Sequence, residues 1–196
     1  MSEPRYAPAI TLPPYSYVPG HDLPHPVNNP AGHLYVVRNS AHEPPISAAV
    51  LADLPTVLHS RRRALAATLA DNSRWLHAID LYNAGFYWEA HEVWESFWNA
   101  LGRTTSEAQF VQGLIRLAAA AVKIREGKPA GVARHSKRAR ELLGDLGAAH
   151  GGVTLGLAAE SISAVVTELE RCTPACWHTS RTPVVRVLDE NLRLVS

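Results

Sequence analysis

The stretch EAQFVQGLIRLAAAAVKIRE, residues 107–126, constrains this chain more than any other. Its apolar residues fall on nearly every side of a helical wheel. Such a helix is stable in water only when neighbouring elements cover it on most sides. A membrane is not the cover: the longest apolar run, LAAAAV, is far short of the ~20 residues a span needs. The helix belongs in the middle of a bundle, and the rest of the chain has to surround it.

The flanking sequence has the punctuation of such a bundle. A helical pattern begins near Leu54, in LPTVLHSRRRALAATLA. A second helix is expected over roughly 73–84, capped by Asp71, Asn72 or Ser73 and stopped at Gly85. A third runs from about Phe86 to Leu101, closed by Gly102. The central helix follows, opened by Thr104, Thr105 or Ser106 and stopped at Gly127. Pro129 suits the first turn of the next helix, so EGKPA predicts a tight antiparallel hairpin. That helix should end near Gly147, and a further amphipathic one covers about 157–171. Chain length fits this picture, since 196 residues make one domain with extensions the default.

The two ends read differently. Most of the 14 prolines lie in the first 50 residues. Proline fixes φ and removes a backbone donor, so this segment cannot be a long helix. It still carries Tyr6, Tyr15, Tyr17, Val18, Leu34 and Tyr35, and disordered tails are poor in such anchors. The expectation is an all-α, compact multi-helical bundle of four to five helices. An extended proline-rich arm over 1–50 packs on a helical domain over 51–172. An irregular tail over 173–196 contains a hairpin candidate around Asp189-Glu190-Asn191.

Composition excludes more than it identifies. A formal net charge of +1 gives no electrostatic case for nucleic acid. The N-terminus has no basic stretch followed by an apolar run, so no signal peptide is expected, and neither is a membrane partner. Two cysteines, Cys172 and Cys176, make no disulfide framework and fit a reducing compartment. The cytoplasm is the expected location. CTPACWH, with one cysteine pair and no second, is weak as a zinc motif.

The chemistry concentrates in YWEAHEVWESFW, residues 87–98. With about 100° of turn per residue, His91 and Glu95 fall together at one edge of the apolar arc. Glu89 and Glu92 fall on the far side, where solvent is expected. HEVWE departs from the zincin pattern HExxH at its last position, where Glu95 replaces the second histidine. A His and a Glu one turn apart still offer two ligands, and a catalytic zinc site wants three with one open position. His135, which sits within the apolar face of its own helix, is a candidate third ligand. So are His25 and His33 of PHPVNNPAGH. Zinc, manganese or iron would suit mixed nitrogen and oxygen donors. On the central helix Gln112, Arg116 and Lys123 form a polar stripe. It either faces water or faces His91 and Glu95, where Gln112 could contact a small-molecule substrate and Arg116 or Lys123 could stabilise developing negative charge.

Two other readings use the same residues. Glu95 could orient His91 as a metal-free general base. Alternatively the cluster is a structural polar network in a non-catalytic module, with Trp75, Trp88 and Tyr82 on an exposed interaction face. A lone histidine on an apolar face such as His135 is most often a satisfied core residue.

LYNAGFYWEAHEVWESFW, QGLIRLAAAAVKIREG and GVARHSKRA together resemble the domain of unknown function family 309. The match to the family's pattern of histidine, three residues, glutamate, two residues and an aromatic is His91, Glu95 and Trp98. Gln112-Gly113 matches as well, and the arm resembles that of a subset of members. The similarity extends over roughly residues 10–145. It implies a multi-helical protein of bacteria or archaea with a suspected metal site at this motif. It implies no substrate, because the family lacks an established activity. The leading functional expectation is a metal-binding protein, with metal-dependent hydrolysis as one activity such a site could support.

Overall fold

The computed structural model describes residues 4–33, 69, 71–144, 154–177 and 179–195. The helical pattern expected near Leu54, the far end of the arm and the expected helix end near Gly147 lie outside the described residues. Among the described residues five α-helices follow one another: α1 Ser73–Asn83, α2 Tyr87–Ala100, α3 Ser106–Arg125, α4 Pro129–Leu143 and α5 Ala159–Arg171. A 3-10 turn, Pro174–Cys176, follows α5. The all-α bundle expected from the sequence is what forms. Among the described residues no helix is long and apolar enough to cross a membrane.

The helix ends follow local chemistry. The Asn72 side chain accepts from the amides of Arg74 and Trp75 at 3.1 and 3.0 Å, starting α1. Thr105 caps α3 through the Ala108 amide at 3.1 Å. Pro129 occupies the first turn of α4, where its missing N–H costs nothing. Gly85, Gly102 and Gly127 follow the ends of α1, α2 and α3 with φ of +90°, +82° and +67°. α5 starts two residues later than expected because Leu157 pairs instead with Leu194 in an isolated antiparallel bridge.

α3 is the axis of the bundle. It packs against α2 and α4 and more lightly against α5, while α1 covers α2 and α5 covers α4. Gly113 is the point of closest approach to α4: a Cβ there would lie 2.5 Å from Leu143 Cγ. That contact is the physical reason for a glycine in the middle of the most buried helix. Trp75 and Phe97 meet edge to face at 5.4 Å, and Tyr82 meets Tyr87 at 5.3 Å. Trp75 and Tyr82 are 0% and 1% exposed, so neither lies on an outer interaction face. Trp88 is half-buried, with the rings of Tyr17 and His25 against it.

Arm and tail run extended over the helices with almost no strand pairing, and buried backbone amides need acceptors. Helix side chains supply them. Asp80 of α1 accepts from the amides of Tyr6 and Ala7, each at 2.8 Å, with Arg5 Nε 3.4 Å away. The Tyr87 hydroxyl accepts from the Val187 and Leu188 amides at 3.0 and 3.3 Å. The Asn83 side chain donates to the Leu192 carbonyl and accepts from its amide, both at 2.9 Å. Glu168 of α5 takes the Asp189 and Glu190 amides at 2.6 and 2.9 Å, so this stretch is pinned to α5 rather than folded as a hairpin.

Candidate metal centre on the second helix

α2 brings three donors together at its solvent edge. One ligand atom each from His91, Glu92 and Glu95 lies within 4.8 Å of the other two, and all three residues are half-buried. His91 Nδ1 is 3.3 Å from Glu92 Oε1, yet it is buried with no hydrogen-bond partner. A buried imidazole nitrogen without a hydrogen bond, close to two carboxylates, is a donor set a divalent cation would satisfy. The pair expected from the sequence is therefore joined by Glu92, which angular spacing alone had put in solvent. A glutamate side chain spans several rotatable bonds and reaches past its own angular sector.

His135 lies on α4 and is outside the three-donor group. It is 9% exposed. Its pKa is pushed down to about 4, first by burial and then by the positive charges of Arg116, Arg134, Lys123 and His91. The lowered value keeps the imidazole neutral near pH 7. Arg116 is half-buried, with a buried Nε that has no partner. Gln112 is half-buried on the same helix. Lys123 is differently employed: its ammonium is 2.5 Å from Glu126 Oε1, and its stem packs where a side chain on Gly131 would otherwise sit. Lys128 shares Glu126 at 2.6 Å, and these two ammonium groups hold its carboxyl below the usual range against burial.

Of the two arm histidines, His33 goes to the other side of α2. His33 Nε2 lies 3.3 Å from Glu89 Oε1, and its ring meets Tyr15 edge-on at 4.5 Å. His25 packs on Tyr17 and Trp88, and its Nδ1 faces the amides of Val27 and Asn28 at 3.3 Å. Neither joins His91. The partner of His33 is Glu89, which is 1% exposed and also accepts from the Tyr17 amide at 2.9 Å. Glu89 is buried because the arm covers the face of α2 that the helical wheel assigns to solvent. A second buried charge went unnoticed in the sequence: Arg125, 1% exposed, donates to the carbonyls of Ser180 and Thr182 at 3.1 and 2.8 Å. Its position at the end of the most apolar helix was the available signal. Trp98, the aromatic of the motif, packs against the core and is covered by the Arg103 guanidinium at 4.8 Å.

These features define a helical bundle with a mixed nitrogen and oxygen donor group on one helix. Residues 75–135, from Trp75 on α1 to His135 on α4, match the model of the family Domain of unknown function (DUF309). The matched span holds His91, Glu92, Glu95, Arg116 and His135; arm, α5 and tail lie outside it. No curated protein and no solved structure matches the chain.

Proposed function

We propose that this protein binds one divalent cation through His91, Glu92 and Glu95 and uses it in hydrolysis of a small-molecule substrate. The observation that carries the reading is the three-donor group with the unpartnered His91 Nδ1 in it. Two carboxylates and one imidazole suit zinc, manganese or iron. A cation held there supplies Lewis acidity at neutral pH. The protein's own contribution is positional. His91 and Glu95 are one turn apart on a well-packed helix, so their approach is fixed by α2 rather than by a loop. His135 on α4, neutral near pH 7, is a candidate to accept a proton from a reacting group. Gln112 is a candidate hydrogen-bonding contact to substrate. Lys123 offers weaker help, because Glu126 already neutralises it.

The half-exposure of the donors weighs against a purely structural network. Fold-determining polar clusters are buried and fully bonded. Here His91 and Glu92 side chains are 28% and 32% exposed, and the imidazole Nδ1 makes no hydrogen bond. The test is metal analysis of protein purified with zinc, manganese and iron supplied, beside His91→Ala and Glu95→Ala. One equivalent of metal in the wild type, lost in variants that keep their melting temperature, supports the proposal. Metal-free wild type, with both variants melting early, would overturn it.

A further inference from the structure

The edge of α2 that carries the donor group continues past Glu95. With about 100° of turn per residue, Trp98 and Asn99 share one arc of roughly 120° with His91, Glu92 and Glu95. They lie three and four residues beyond Glu95, so both are its surface neighbours, with Cβ atoms about 5–6 Å away. Together they hold one cation. Arg103 donates from Nε and Nη2 to Asn99 Oδ1 at 2.9 and 2.6 Å. Its guanidinium carbon lies 4.8 Å from the centre of the Trp98 ring. These contacts bring the guanidinium to the helical turn that follows Glu95, on the donor side of α2.

Three features set this arginine apart from an ordinary surface charge. Its hydrogen-bond acceptor is a neutral amide, and among the described residues no carboxylate lies within ion-pair distance of it. Its orientation is fixed: Asn99 takes one edge of the fork and Trp98 covers one face, while the Nη1–Nη2 edge makes no hydrogen bond. Its backbone is strained to put it there. Arg103 has φ of +59°, directly after Gly102 at +82°. Glycine adopts the left-handed region freely and closes α2 there. A second left-handed residue, this one with a side chain, is unfavourable, and such outliers cluster at ligand-binding sites. Arg103 is exposed, so a ligand reaches the open edge from solvent.

We infer that Arg103 receives an oxyanion of the substrate, a carboxylate or a phosphate group, and holds it about one helical turn from the His91–Glu92–Glu95 centre. Resting on the metal reading proposed above, this makes Arg103 a substrate-binding residue and the substrate an acid or a phosphate ester. The Nη1–Nη2 edge offers two N–H groups to two oxygens of one anion, which a lysine cannot reproduce. About 6 Å of helix rise separates Glu95 from Asn99, so one small molecule reaches both the donor group and the fork.

Titration calorimetry with inorganic phosphate and, separately, acetate tests this at constant ionic strength set with chloride. Manganese-loaded, desalted wild type is compared with Arg103→Gln and Arg103→Lys, each beside its metal-free form, and bound metal is counted in every sample. Saturable binding of one anion by the loaded wild type is expected. At unchanged metal content it should weaken at least about tenfold in Arg103→Gln and less in Arg103→Lys, which keeps the charge without the fork. The tighter of the two anions identifies the group. Loaded wild type that shows no saturation by about 10 mM of either anion overturns the inference. So does Arg103→Gln that binds as tightly as wild type but melts earlier, which is the outcome of a purely structural arginine. Should Arg103→Gln fail to fold, Arg103→Gly replaces it, because glycine adopts this φ freely, and full affinity there overturns the inference in the same way. Metal uptake without Arg103-dependent anion binding sinks this inference alone. Arg103-dependent binding in protein that takes up no metal sinks the metal reading alone.

Discussion

Glu89 and His91 stand two residues apart on α2 and serve opposite sides of it. Glu89 points under the arm, to His33 Nε2 at 3.3 Å and the Tyr17 amide at 2.9 Å. His91 points to the open edge, toward Glu92 and Glu95. About 200° of helical turn separates them. One helix thus carries the anchor of the arm and the candidate metal centre back to back, and Glu89 and Asp80 hold the arm in the same way from consecutive helices.

Removing the Glu89 carboxylate should loosen the arm without touching the donor group. Glu89→Ala leaves the Tyr17 amide without its acceptor, at a cost of about 1–3 kcal/mol, and removes the carboxylate beside His33. Glu89→Gln keeps one carbonyl oxygen and should lose less. Hydrogen exchange at the Tyr17 amide is the direct reporter, and it should quicken most in the alanine variant. Metal content should stay at the wild-type level. A loss of metal in Glu89→Gln would show that the two sides of α2 are not independent.

Glu92 gives the sharpest test of the donor geometry, since helical spacing did not single it out. Glu92→Ala should lower metal affinity by at least ~10–100-fold, the range seen even for groups one shell further out. Its effect on the melting temperature should be small, because the side chain is half-buried and at the surface. If competition against a chromogenic chelator finds unchanged affinity, the centre uses only His91 and Glu95 with donors from elsewhere.

The helices were legible in the sequence because each rests on local chemistry. Asn72, Thr105 and Pro129 start helices, Gly85, Gly102 and Gly127 stop them, and the all-round apolar pattern of α3 forces a central position. His91 and Glu95 were legible for the same reason, since residues four apart share an edge whatever else surrounds the helix. Glu89 was not. A helical wheel gives α2 one buried face, and the arm gives it another from more than fifty residues away. His25 and His33 carried no periodic signal at all, so nothing local could say which face of α2 they would reach. Trp75 and Tyr82 misled in the opposite direction: both are aromatic enough for an interface, but edge-to-face contacts with Phe97 and Tyr87 keep them inside.

Gly85 should tolerate no side chain. Its φ is +90°, and a Cβ would lie 2.9 Å from the Val185 carbonyl oxygen and 3.0 Å from its carbon. The left-handed conformation alone costs about 1–2 kcal/mol for an L-residue. The clash adds to this, because a backbone carbonyl cannot swing aside as a side chain can. Gly85→Ala should destabilise by more than about 2 kcal/mol and expose the Val187 and Leu188 amides, which the Tyr87 hydroxyl holds, to exchange. Gly102→Ala is the control: φ is +82° but nothing lies within 4 Å, so only the conformational cost remains. Equal losses in the two variants would mean that the tail does not lie against Gly85.

His135 should make stability depend on pH in a defined window. Burial and the charges of Arg116, Arg134, Lys123 and His91 push its pKa from 6.5 down to about 4. The unfolded chain titrates near 6.5, so between pH 6.5 and about 4 it binds a proton that the native state refuses. The stabilising contribution of the neutral imidazole is therefore fully present above about pH 6.5 and is lost progressively as pH falls toward 4. The full shift corresponds to roughly 3 kcal/mol, and partial access of solvent to the imidazole brings the expected loss to about 1–2 kcal/mol. Urea unfolding of metal-free protein at about pH 7 and about pH 4.5 measures it against His135→Gln and His135→Phe. Both variants should lose about 1–2 kcal/mol less than wild type between the two pH values, because they have no proton to take up. A wild-type loss no larger than theirs would place His135 in open solvent.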